Sequence, residues 1–241
     1  MPQKKRGKRY KYVGRRYSIR TLLVFLVLVL TAYFFFQSPY FDVSSIAVAG
    51  NSNLSSEEAV KLSGINKGTN IFRVDIQSVK EKILLHPFVA SVELKRDLPD
   101  TIRIQVVEYV PAAVVPFEGG FMVVSKEGYC LRHCNEISNL DLPVVSGLGM
   151  KDGVPPGTKV DNERLPVALE IVNCCEKKES IAEIEVRDVN KIIVFTFSQT
   201  RILLGNDEKI SEKMSLALDI ASKVPNAEYI DVRFPKSPVY K

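Results

Sequence analysis

The stretch HPFVASVELKRDLPDTIRIQVVEYVPAA, residues 86–113, alternates twice. Ala90, Val92 and Leu94 alternate with Ser91, Glu93 and Lys95; Ile102, Ile104 and Val106 alternate with Thr101, Arg103 and Gln105. A period of two puts each apolar set on one face of a strand. The segment RDLPDT between them is rich in turn formers, so the two strands read as a hairpin. A hairpin with one apolar face needs a cover, and the preceding residues offer one. Val43 to Val48 reads as a short strand with Ile46 and Val48 on one face. NLSSEEAVKLSGI begins a helix: Ser55 and Glu58 have capping-box spacing, Leu54 can staple ahead of them, and Gly64 can take the left-handed stop position. After the loop NKGTN, Asp75 can cap a second helix with Ile76, Val79 and Ile83 facing inward, ending before Pro87. Residues 42–110 therefore predict a compact β-α-α-β-β unit.

Upstream the chemistry changes. The net charge of +5 is concentrated in residues 1–20, which carry nine Lys and Arg and no acid; the remainder has 24 bases against 28 acids. Thr21 to Phe41 carries no charge. As a helix its 21 residues rise about 31 Å, against a hydrocarbon core of about 30 Å. The apolar residues go all the way round and a basic cluster abuts one end, which argues against a buried soluble helix. A cleaved signal peptide is the rival, since Ala47-Val48-Ala49 resembles a cleavage tripeptide. That tripeptide lies well past the apolar run and inside an expected strand. The expectation is an uncleaved single span over residues 21–41, with residues 1–20 cytoplasmic and Arg15, Arg16 and Arg20 setting the orientation. Tyr33 and Tyr40 then suit the outer interface. The basic tail points to the bilayer and not to nucleic acid.

Downstream, residues 111–241 read as a second, mixed and mainly antiparallel β domain. FMVVSKEGYCLR is a hairpin around Lys126-Glu127-Gly128, and LPVVSG a short extended piece. Leu165 to Cys175 has helical spacing. IAEIEVRD, KIIVFTF and TRILLGN are three successive strands. Lys209 to Val224 is an amphipathic helix on Ile210, Met214, Ala217, Leu218 and Ala221. The closing AEYIDVRFPKSPVYK, residues 227–241, begins by alternating: Tyr229, Asp231 and Arg233 point one way, and Ile230, Val232 and Phe234 the other. This predicts a terminal strand without a hairpin partner, hence an open row of backbone groups on a sheet edge. Pro235 and Pro238 lack N–H donors and interrupt that row, so pairing stops at Phe234 or resumes at Val239-Tyr240.

No catalytic constellation emerges. His86 precedes a proline at a helix end and His133 sits in a hairpin; neither accompanies a nucleophile motif. There is no phosphate loop. Cys130, Cys134, Cys174 and Cys175 would permit disulfides in an oxidising compartment, but their spacing fits no zinc pattern. The expectation is no enzyme, no cofactor, no metal and no small-molecule substrate.

Across nearly the whole chain the sequence resembles the FtsQ/DivIB cell-division family. The resemblance is carried by VAGNSNLSSEEAVKLSGINKGTNIFRVD, by the hairpin of residues 86–113 with its exit EYVPAA, by LPVVSG, IAEIEVRD and ILLGN, and by AEYIDVRFP. It implies an α+β protein: one N-terminal transmembrane helix, a POTRA domain of β-α-α-β-β order, and an FtsQ-type β domain ending in an edge strand. It further implies a bitopic divisome scaffold at the septal cell (inner) membrane, with its domains on the extracytoplasmic side. Its implied partners are FtsB/DivIC-like and FtsL-like single-span division proteins, bound by strand addition at the last strand. Tyr229, Asp231, Arg233, Phe234 and Tyr240 are the candidate contacts. Arg233 and Phe234 match the family's basic-plus-aromatic pair, although Phe234 could instead pack in the core with Ile230 and Val232. The alternative is a membrane-anchored POTRA-type envelope chaperone or polypeptide-transport component. Tandem POTRA copies or a following barrel would mark that class, and one unit before a small mixed domain is expected here.

Overall fold

The computed structural model describes residues 19–137, 140–175, 181–224 and 227–241. Arg15, Arg16 and most of the basic tail lie outside them; Arg20 is exposed in the first turn of the first helix. That helix, α1 (Ile19–Phe36), buries none of its residues inside the protein. It is the one helix, among the described residues, long and apolar enough to cross a membrane. It stops short of Phe41 because Pro39 cannot continue it; Ser38 caps a single 3-10 turn, Pro39–Phe41, instead.

The first unit after α1 follows the sequence closely. β1 (Ser45–Ala49) pairs parallel to β3 (Thr101–Glu108), with Ile46 opposite Ile102 and Val48 opposite Ile104. β2 (Val89–Asp97) pairs antiparallel to β3, with Val92 opposite Val106, so the order is β1-β3-β2. A cis bond precedes Pro99 in the β2–β3 turn. Helices α2 (Ser56–Ser63) and α3 (Ile76–Leu84) close the core around Leu54, Ala59, Ile71, Val79, Ile83, Ile102, Ile104 and Val106. Their caps are those the spacing predicts. The Glu58 N–H donates to Ser55 Oγ, Asp75 accepts from the Gln77 and Ser78 N–H groups, and Gly64 is left-handed with φ +64°. Gly50, at φ +80°, has no room for a side chain: a Cβ there would collide with the Val106 carbonyl oxygen.

The second unit is one mixed sheet. Its strands are β4 (Pro111–Phe117), β5 (Gly120–Ser125), β6 (Cys130–Cys134), β7 (Val144–Ser146), β8 (Ile181–Glu185), β9 (Ile192–Thr196), β10 (Arg201–Gly205), β11 (Tyr229–Asp231) and β12 (Val239–Tyr240). The order across the sheet is β12-β11-β10-β9-β8-β7-β4-β5-β6. Antiparallel pairs dominate, with parallel joints at β4–β7, β7–β8 and β10–β11. α4 (Leu165–Cys174) and α5 (Ile210–Lys223) cover one face; Leu165, Ile171, Ile210 and Met214 pack with Val115, Ile184, Val194, Ile202 and Ile230.

One strand escapes the sequence pattern, and one reading of the sequence needs correction. β4 is a strand that alternation does not reveal: Ala112 to Val115 are all buried, so its apolar run is continuous. The terminal strand is shorter than its alternation suggests. β11 stops at Asp231, the chain turns with the Ser237 N–H on the Phe234 carbonyl (2.9 Å), and β12 returns antiparallel to β11. The expected strand without a hairpin partner is thus a short hairpin. Pro235 and Pro238 could not have extended the ladder, and the turn accommodates them.

The two units join through β3. Tyr109, just beyond it, stacks on Tyr129 with ring centroids 4.7 Å apart, and the Lys126 N–H donates to the Val110 carbonyl. One residue earlier, the Glu108 carboxylate gathers the β1–α2 loop. It accepts from the backbone N–H groups of Ser52 (2.8 Å), Asn53 (2.8 Å) and Leu54 (3.0 Å), and from Asn53 Nδ2 (2.8 Å). Partial burial alone would raise its pKa; these donors outweigh burial and hold it below its ordinary value of 4.5. A carboxylate with a depressed pKa stabilises the fold fully above its unfolded pKa, and that stabilisation is lost as pH falls through the folded value. Glu108→Gln should therefore lower stability at pH 7 by about 1–3 kcal/mol. Urea unfolding of both proteins checks it: the gap should close as the pH drops below about 4.

Candidate functional site

Parallel pairing of β11 to β10 needs a crossover, and α5 supplies it. Arg201 sits opposite Tyr229, Ile202 opposite Ile230 and Leu203 opposite Asp231. Lys213, buried on α5, donates from Nζ to the Asn206 carbonyl (3.0 Å) and to Asn206 Oδ1 (2.6 Å), which ties the helix to the end of β10. Ile230 and Val232 are fully buried against α5 and β10, and the Val232 N–H extends the ladder to the Leu203 carbonyl. This apolar pair nails β11 down and leaves the residues after it at the sheet's margin.

β12 is that margin. The Lys241 N–H donates to the Tyr229 carbonyl and the Glu228 N–H to the Lys241 carbonyl, so the backbone of Lys241 faces inward. Alternation then turns the N–H and C=O of Tyr240 outward, and Pro238, of the same parity, has no N–H to give. Phe234 is 73% exposed, and Val239 and Tyr240 are each 53% exposed. Phe234 therefore does not pack with Ile230 and Val232. Among the described residues the margin is short, apolar and open.

Arg233 is not a free cation. Its Nε lies 3.0 Å from each Asp231 oxygen and its Nη2 2.6 Å from Oδ2. Hydrogen bonds from Arg233 hold the Asp231 carboxyl below its ordinary range, against a weaker opposing push from burial. The stem of Arg233 crosses Gly205, whose φ of +72° and missing side chain make room; a Cβ there would lie 2.9 Å from Arg233 Cγ. Beside it opens a cleft of about 210 Å³, lined by Ile193, Leu203, Gly205, Arg233 and the β8–β9 turn. Tyr229 and Asp231 are half-buried on the same sheet face as Leu203. The structure thus brings Tyr229, Asp231, Arg233, Phe234 and Tyr240 together within one hairpin. The role of β12 as the outermost strand and the cleft beside Arg233 escape sequence reasoning; the paired prolines were the available signal.

The remaining reactive side chains have packing roles. All four cysteines are free thiols, and burial pushes Cys130 and Cys175 up to about 11, away from thiolate chemistry. His133 Nε2 lies 2.8 Å from the Val154 carbonyl, and His86 Nε2 3.8 Å from Glu58. Among the described residues no group of three or more His, Cys, Asp and Glu is placed to hold a metal ion.

Comparison with known proteins reaches the same region. The pattern of the POTRA domain, FtsQ-type, matches residues 41–109, and that of the cell division protein FtsQ/DivIB, C-terminal, matches residues 113–233. The chain is similar to the cell division protein DivIB of Clostridium tetani, 27% identical over 85% of this chain and 80% of that one. It is 26% identical to the DivIB of Clostridium botulinum over 98% and 93% of the two chains. It is also 26% identical to the cell division protein FtsQ of Syntrophotalea carbinolica, over 86% and 76%. With both extramembrane units matched in order behind an apolar N-terminal helix, the chain belongs to the FtsQ/DivIB family of cell-division proteins.

Proposed function

We propose that the protein is a non-enzymatic bitopic scaffold of the divisome that receives an extended partner segment along β12. The observation that carries this is the open outer side of β12 with Phe234, Val239 and Tyr240 exposed around it. A peptide laid there would pair with the outward backbone of Tyr240, while alternate side chains settle against Phe234 and into the cleft beside Arg233. With only one outward N–H, main-chain bonds set register more than affinity. The apolar contacts supply most of the free energy. Arg233 retains guanidinium donors beyond its Asp231 bonds, so a partner carboxylate can share it.

The partners in this reading are FtsB/DivIC-like and FtsL-like single-span proteins at the septum. In this reading the residues before α1 lie in the cytoplasm, α1 crosses the membrane as far as Phe36, and the units within residues 42–110 and 111–241 fold outside as the two domains. The basic tail, Arg15, Arg16 and Arg20 included, favours that orientation.

Removal of residues 234–241 should abolish co-purification of such a partner while the chain still inserts into the membrane; full retention of the partner by the shortened chain would sink the reading. Phe234→Ala and Arg233→Glu should each weaken partner affinity by at least about tenfold, that is about 1.4 kcal/mol. Phe234→Ala should leave the urea midpoint within about 0.5 kcal/mol of the parent, since its side chain is exposed. Titration of the purified pair and an unfolding curve separate the two effects.

A further inference from the structure

The end of α1 is bound to the first outer unit, not merely tethered to it. Asn70 Nδ2 donates to the Phe36 carbonyl (2.9 Å), and Arg73 Nη2 donates to Gln37 Oε1 (3.1 Å). Phe72 stands edge-on to Phe36, with ring centroids 5.5 Å apart, and lies 5.3 Å from Phe41. These residues belong to the 3-10 turn Ile71–Arg73, which Asn70 caps through the Phe72 N–H. Ile71 and Val74 on either side are buried in the domain core, while Phe72 remains 42% exposed.

The length of α1 decides how deep this turn lies. From Arg20, whose charge holds it at one surface, to Phe36 the helix rises about 24 Å, short of the roughly 30 Å hydrocarbon core. Phe36 therefore lies at or inside the far boundary, and a ring packed on Phe36 is drawn to the same level. An exposed aromatic followed by an arginine suits that level: the ring occupies the interfacial belt while the guanidinium reaches the phosphates. Tyr33, Phe36, Gln37, Asn70, Phe72 and Arg73 line an open cleft of about 490 Å³, which combines aromatic rings with guanidinium and amide groups. This is the chemistry of a phospholipid's upper acyl chain and head group.

We propose that the turn Ile71–Arg73 is a second membrane contact, docking the first outer unit onto the bilayer by inserting Phe72 into the head-group boundary and setting Arg73 on a lipid phosphate. The proposal rests on insertion of α1, and its test keeps the two separable. The protein contains no tryptophan, so Phe72→Trp creates a single reporter in the full chain. Leu28→Trp reports on the middle of α1, and Phe197→Trp, exposed on the β domain, reports on water. Each is reconstituted in phosphatidylcholine–phosphatidylglycerol vesicles, with or without bromine on the upper acyl chain. Phe72→Trp should emit to the blue of Phe197→Trp and lose emission to brominated lipid; adding Arg73→Glu should reduce that loss, and inorganic phosphate should not change it. If Phe72→Trp lowers the urea midpoint, Arg73→Trp, at the exposed neighbouring position, serves as the reporter; with the phosphate contact gone its quenching should be weaker but still above that of Phe197→Trp. Quenching of Leu28→Trp with water-like, unquenched emission from the turn overturns the docking proposal alone. Failure to quench Leu28→Trp overturns the insertion of α1 and the docking with it.

Discussion

The parallel pairing of β11 to β10 is the constraint on which the proposed docking end of the molecule depends. Parallel neighbours cannot be joined by a tight turn, so α5 must cross the face of the sheet between them. Its apolar side, Ile210, Met214, Ala217 and Ile220, is buried in doing so, and the same core takes in Ile230 and Val232. Burying Ile210, Met214, Ile230 and Val232 contributes about 1.5–3 kcal/mol apiece. β11 is short, yet it is held by packing on one face and by β10 along one side. The residues beyond Val232 have nowhere to go but the outer margin, where Pro235 and Pro238 permit a turn and one brief returning strand. The exposed apolar margin is thus a consequence of how the interior is closed.

Most of the first unit after α1 was legible because its signals are local. Ser55, Asp75 and Gly64 act within a few residues of themselves, and the two alternating strands declare their buried faces directly. Glu108 was not legible: its four donors come from residues 52 to 54, across the sheet, and nothing near it in the chain announces them. β4 hid for the opposite reason. Covered on both sides, it has no polar face to alternate with. The terminal residues misled because alternation from Tyr229 to Phe234 describes a strand of six, whereas the sheet holds three. Phe234 shares parity with Ile230 and Val232 but has left the ladder before its turn to pack.

Two joints govern where that margin stands. At the membrane, Phe36, Phe41 and Phe72 form an aromatic cluster, with Asn70 and Arg73 bonded to the helix end; pairs of this kind contribute about 0.5–1.5 kcal/mol each beyond the area they bury. Between the units, the Tyr109–Tyr129 stack sits immediately after Glu108, so the carboxylate that orders the β1–α2 loop also anchors the strand leading into the second sheet. The path from the bilayer to β12 therefore runs through packed rings and bonded backbone. In the proposed reading, a membrane-spanning partner whose outer segment rises beside this protein would meet β12 at a defined height.

The most direct test of docking along β12 places a photo-crosslinking amino acid at position 234 in living cells and identifies what it captures. A docking edge there predicts a small single-span division protein, captured through its extracytoplasmic segment, with capture reduced by Arg233→Glu. Capture of many unrelated exported chains, or of none, would contradict it.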